Sequence, residues 1–139
     1  MDILEFLPMQ DEMSAEALAK YVAVVLMCCA ADGLSDLEQT AVKNWIQDHK
    51  GSPSVFDTAL AMMENGNIDI SESEAKVFGP YLIRDCIRLA KADGLSPEEY
   101  DTIVQTASQL GYDEDTVKTI QQVISLHEIT AELWKSVTK

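Results

Sequence analysis

Apolar positions along the chain recur at three- and four-residue steps, and no stretch alternates apolar and polar residues long enough to form a strand. The pattern predicts helices throughout. A short helix or extended arm covers Asp2 to Leu7 and stops at Pro8. A second segment opens at an N-cap Ser14, with Glu16 in its first turn, and continues to Ala31. Its interior holds the longest apolar run, the ten residues Val22 to Ala31. A helix needs about twenty to cross a bilayer core, so the run predicts a fully buried central helix instead.

A third helix spans Ser35 to about His49, with Ala41, Val42, Trp45, Ile46 and His49 at helical steps. Pro53 opens a fourth, at the position where proline is best tolerated, and this one reaches about Glu64 before the Asn65-Gly66-Asn67 turn. Ser71, with Glu74 at the capping-box position, starts a long segment to about Ala92, which Gly79-Pro80 should kink or split. A sixth helix covers Ser96 to Leu110, closed by Gly111. The last runs from Asp113 nearly to Lys139, where Val117, Ile120, Ile124 and Trp134 share a face with His127 and Ala131. The expectation is an all-α, single-domain bundle of six to seven helices over residues 1–139, with residues 1–13 as an N-terminal arm or short helix. Short connections favour antiparallel neighbours.

An internal repeat sharpens this picture. Residues 31–38 read Ala-Asp-Gly-Leu-Ser-Asp-Leu-Glu and residues 92–99 read Ala-Asp-Gly-Leu-Ser-Pro-Glu-Glu, identical at six of eight positions. An apolar helix precedes each copy and an amphipathic one follows, with Val42 corresponding to Ile103. The spacing suggests a duplicated helix–loop–helix unit with approximate twofold symmetry. Most of the octet has a local structural task. Gly33 and Gly94 suit a left-handed helix end, Leu34 and Leu95 a hydrophobic staple, and Ser35 with Glu38, and Ser96 with Glu99, a capping box. Asp32 and Asp93 are less well explained, because a negative charge at a helix C-terminus opposes the dipole.

Composition narrows the possible partners. Twenty-four acidic residues against ten Lys plus Arg give a net charge of −14, with the basic residues scattered among the acids. A nucleic-acid duplex or an anionic membrane surface would be repelled. At 47% hydrophobic residues the chain is too apolar for a disordered acidic tail. The N-terminus carries acids where a secretory signal carries Lys or Arg. Cys28, Cys29 and Cys86 form an odd set in apolar surroundings, which fits free buried thiols in the cytoplasm.

The acidic excess gains chemistry at the repeat. In each corner an aspartate lies six residues before a glutamate, across a tight turn. Were the corners to face each other, Asp32, Glu38, Asp93 and Glu99 would form a four-carboxylate cluster, which repels itself unless protonated or bridged by a hard cation. Oxygen ligands suit calcium, magnesium or manganese.

These two Ala-Asp-Gly corners, in an acidic helical chain of this length, resemble the tellurite-resistance TerB family over roughly residues 14–139. The same fold occurs as the N-terminal module of the membrane-anchored J-domain cochaperone DjlA. The resemblance implies a small, internally duplicated helical fold linked to tellurite and other chemical stress. It also implies divalent-metal binding by the motif acids, here Asp32, Glu38, Asp93 and Glu99, and scaffolding in membrane-associated complexes. The chain has no His-Pro-Asp tripeptide, so cochaperone activity is not carried over.

Other chemistries find little support. Residues 66–72 look like the second half of an EF-hand loop, but Ala61 and Met63 would occupy its first ligand positions. Neither His49 nor His127 has a second His or Cys at zinc spacing. The chain lacks a nucleophile elbow, a phosphate loop and a Glu-x-x-His di-iron motif. Trp45, Trp134 and the methionines read mostly as core or boundary residues. The sequence therefore predicts a non-enzymatic stress-response accessory module with a divalent cation at the corners. The alternative is a metal-free acidic adaptor that meets a basic protein partner, a membrane-associated complex or its own copy, without nucleic acid or membrane insertion.

Overall fold

The computed structural model describes residues 14–48, 51–66, 68–91 and 94–138, without the side chains of Asp32 and Val77. The expected arm at 2–7, His49 and Asp93 lie outside the described residues. Those that are described form six α-helices and one 3₁₀ turn, with no strand among them. Helix α1 spans Ala15–Cys29 and passes into a 3₁₀ turn at Ala30–Asp32. Helix α2 is Asp36–Asp48, α3 is Ser54–Asn65, α4 is Glu72–Ala90, α5 is Pro97–Gln109 and α6 is Glu114–Thr138. The bundle is all-α, as the periodicity predicts.

Helix α1 lies at its centre. Tyr21 to Leu26, Cys28 and Cys29 are buried on every side of the helix, which packs against α2, α3, α4 and α5. Ser14 caps it, accepting a hydrogen bond from the Ala17 N–H at 3.1 Å. Tyr21 is the polar centre of this core. Its ring stacks on Trp45 at 5.4 Å, and its hydroxyl donates to the Asp85 carboxylate. Arg84 holds the same carboxylate with two bonds, Nε to Oδ1 at 3.0 Å and Nη2 to Oδ2 at 3.1 Å. Burial, and then the Asp85 charge, push the Tyr21 hydroxyl pKa well above 10.

Helix α4 is not split at Gly79-Pro80: it continues through Pro80 to Ala90. Pro80 removes the bond to the Lys76 carbonyl, but both residues are exposed, so water can reach that side of the helix. Gly79 has a different task. A Cβ there would come within 2.6 Å of the Tyr112 ring, so glycine permits the close approach of the segment that opens α6. The Tyr112 hydroxyl donates to the Ala75 carbonyl, at 3.3 Å, near the start of α4. Lys91, just past the end of α4, pairs with Glu128 at 3.2 Å. Helices α4 and α6 therefore run in the same direction.

That geometry changes the reading of Trp134. Val117 and Ile124 are buried and Ile120 is half-buried, but Trp134 is 65% exposed and is neither core nor boundary. The 25 residues of α6 span about 37 Å, against about 28 Å for α4. Beyond Glu128 the helix has outrun the element it packs on.

Candidate functional site

The described residues of each repeated octet form a corner with the same local bonds. The preceding helix ends where the Gly33 N–H donates to the Ala30 carbonyl at 3.0 Å, and the Gly94 N–H to the Lys91 carbonyl at 3.1 Å. Both glycines have positive φ, 104° and 98°. At Gly33 ψ is 136°, a positive-φ conformation that favours glycine but is not the left-handed helical form expected from sequence. A side chain at either position would meet no neighbour within 4 Å, so the need for glycine comes from the backbone alone. Leu34 and Leu95 follow, both half-buried against the core.

The capping boxes then open α2 and α5. The Glu38 N–H donates to Ser35 Oγ at 3.1 Å while Glu38 Oε1 accepts from the Ser35 N–H at 3.1 Å. In the second corner the corresponding bonds, between Glu99 and Ser96, are 3.1 and 2.9 Å. Four backbone N–H donors are thereby satisfied, and both helix starts receive a negative charge that suits the dipole.

Burial sets these boxes apart. A capping-box glutamate normally faces water, as the third one in this chain does. Glu74, paired with Ser71, keeps 26% of its side chain exposed and sits 3.7 Å from Lys20. Its pKa is lowered, chiefly by the bond from the Ser71 backbone N–H. Glu38 and Glu99 are each only 1% exposed. At Glu99 one carboxylate oxygen serves the box, while Oε2 is buried and accepts no hydrogen bond among the described residues. A buried acceptor without a donor is costly, and a buried carboxylate oxygen more so.

The two corners meet indirectly. The 3₁₀ turn Ala30–Asp32 packs on α5, and Cys28 Sγ lies 3.8 Å from Thr106 Oγ1 on that helix. Helices α2 and α5, which carry Glu38 and Glu99, do not pack on each other. Asp93 and the side chain of Asp32 lie outside the described residues. Among the described residues no three His, Cys, Asp or Glu side chains converge as a metal-ligand group.

No family model, curated protein or solved structure matches this chain.

Two features of the interior went unnoticed in the sequence. The Tyr21–Asp85–Arg84 network is one, and its signal was the adjacent charged pair inside the apolar stretch Tyr81 to Ile87. It joins α1 to α4: an almost fully buried ion pair whose carboxylate also accepts from a phenol. The other is the grouping of the thiols. Cys86 interacts with Cys28 and Cys29, and its pKa is raised well above the usual thiol range, first by the hydrogen bond with Cys28 and then by burial. All three cysteines are buried, as their apolar setting predicts, and at Cys86 the neutral thiol is favoured.

Proposed function

We propose that the chain is a non-enzymatic, TerB-like accessory module of the cytoplasmic response to tellurite and related chemical stress, in which the Asp-Gly corners hold a divalent cation. The observation that carries this reading is Glu99: a carboxylate 1% exposed, with Oε2 lacking a hydrogen-bond donor among the described residues. Capping the helix requires only Oε1, so the second oxygen is available to a ligand that brings positive charge. Calcium, magnesium and manganese all favour carboxylate oxygen. Asp93, six residues earlier across the turn, is the second donor in this reading, and Asp32 with Glu38 are the corresponding pair. The cation supplies the counter-charge that a buried carboxylate needs, and it fastens the corner to the helix it opens. The doubled octet, with matching bonds at both corners, supports a duplicated unit as the source of the two sites.

Calorimetric titration of the chain with calcium, magnesium, manganese and zinc tests the proposal. Saturable binding of a hard cation, weakened at least tenfold by Asp32→Asn with Asp93→Asn, is expected. Absence of binding, or binding unchanged in that double variant, refutes it.

A further inference from the structure

The second half of α6 carries an apolar face that none of the described residues covers. Val123, Leu126, Ile129, Leu133, Trp134 and Val137 are exposed by between 42% and 74%. With whole-residue areas of about 150–250 Å² for side chains of this size, these fractions amount to roughly 650 Å² of surface. The largest apolar patch on a monomeric protein is usually about 300–600 Å². The patch is also ordered in a particular way. Val123, Leu126, Thr130, Leu133 and Val137 follow alternating steps of three and four, which is the seam of a two-stranded coiled coil. Ile129 and Trp134 widen it on either side.

We infer that this face is the contact between two copies of the chain, which pair through their α6 helices. Two observations select a second copy as the occupant. First, the area fits: two such faces bury about 1,300 Å², within the range of about 1,200–2,000 Å² typical of stable protein pairs. Second, the charge fits. Residues 125–139 hold two acids, Glu128 and Glu132, and two lysines, Lys135 and Lys139, so this segment is neutral. The whole net charge of −14 therefore resides in the residues before it. The seam positions and those beside them carry no Lys, Arg, Asp or Glu, so they neither repel a second copy nor attract a basic partner. Like-charged bodies can approach here because four of the six residues, Ile129 to Val137, lie on the overhang beyond Glu128, which is about 15 Å long and holds most of the contact away from the acidic bulk.

The inference is independent of the cation reading, and its test is run in chelator so that failure of one leaves the other standing. Sedimentation equilibrium of the full chain, from about 1 to 300 µM, is expected to show the mass rising from 15.4 kDa toward twice that value. Trp134 emission should shift to the blue as the dimer forms, while buried Trp45 contributes a constant background. Raising the salt should tighten the pairing by screening the two acidic bodies. Leu126→Glu with Leu133→Glu should raise the Kd at least about 100-fold. Both side chains are exposed, so far-ultraviolet circular dichroism should be unchanged. A monomer across the whole concentration range overturns the inference and leaves the face to a different chain or a lipid surface. A dimer that persists in the double variant overturns it as well.

Discussion

Ser96–Glu99 and Ser71–Glu74 are the same capping box in two settings. Both accept the helix N–H on the serine hydroxyl at 3.1 Å, and both return a carboxylate oxygen to the serine N–H, at 2.9 and 3.0 Å. The Ser71 box lies on the surface, where water can reach the oxygen the box leaves over and Lys20 sits 3.7 Å from the one it uses. The Ser96 box is sealed, with Glu99 at 1% exposure. Since identical bonds form without burial, capping does not explain why Glu99 is enclosed. The difference singles out Glu99 Oε2, a buried carboxylate oxygen with no hydrogen-bond donor among the described residues.

The comparison can be broken at several points. The largest effect is expected at the entrance to the buried box. Gly94→Ala forces a side chain onto a backbone with φ of 98°, at a cost of about 1–3 kcal/mol in urea-unfolding stability. The surface box follows Ile70 and needs no such glycine. A neutral Gly94→Ala would show that the corner does not depend on the positive φ of Gly94.

The serines come next. Removing either cap hydroxyl deletes the same hydrogen bond, but water can replace it only at the exposed site. Ser96→Ala should cost about 2 kcal/mol and Ser71→Ala about 0.5 kcal/mol, the two ends of the range for helix caps. Equal losses in chemical denaturation would remove the distinction between the boxes.

The smallest effect concerns pH. Because the folded-state pKa of Glu74 is lowered, its contribution is present above the unfolded value of about 4.5 and is lost as pH falls through the folded value. Glu74→Gln should therefore lower stability slightly near neutral pH, flatten the acid limb of the profile, and leave stability below that limb little changed. A change confined to alkaline pH would contradict that assignment. Alkaline sensitivity belongs to Tyr21. Its raised pKa makes its contribution complete below pH 10 and lost as pH rises beyond it, so Tyr21→Phe should reduce the loss of stability on the alkaline side.

Much of this architecture is readable from residue order, for definite reasons. Caps announce themselves chemically, so Ser14, Ser71 and Ser96 mark the starts of α1, α4 and α5. The run from Val22 to Ala31 has no polar face, and only a central helix can bury it. Other properties depend on what lies opposite a residue, and spacing does not carry that information. Trp134 belongs to the same helical face as buried Ile124, yet α4 ends before reaching it. Pro80 breaks helices that must satisfy the freed carbonyl internally, and here that side faces solvent. Gly79 looked like part of a break and is instead a gap for Tyr112. At the corners the sequence marks Glu38 and Glu99 as capping residues, but their spacing does not show that both are buried. Asp32 and Asp93 drew attention because a charge at a helix end is unfavourable, an argument that identifies a residue without showing its partner.

The cation proposal is tested most directly by thermal unfolding of the parent, Glu99→Gln and Glu74→Gln chains, each with and without excess manganese or calcium. The account predicts a cation-dependent rise in Tm for the parent and for Glu74→Gln, and none for Glu99→Gln. Without cation, Glu99→Gln should be at least as stable as the parent, because it keeps the capping oxygen and removes an uncompensated buried charge. A parent Tm that ignores the cation, or a rise that survives in Glu99→Gln, contradicts the assignment.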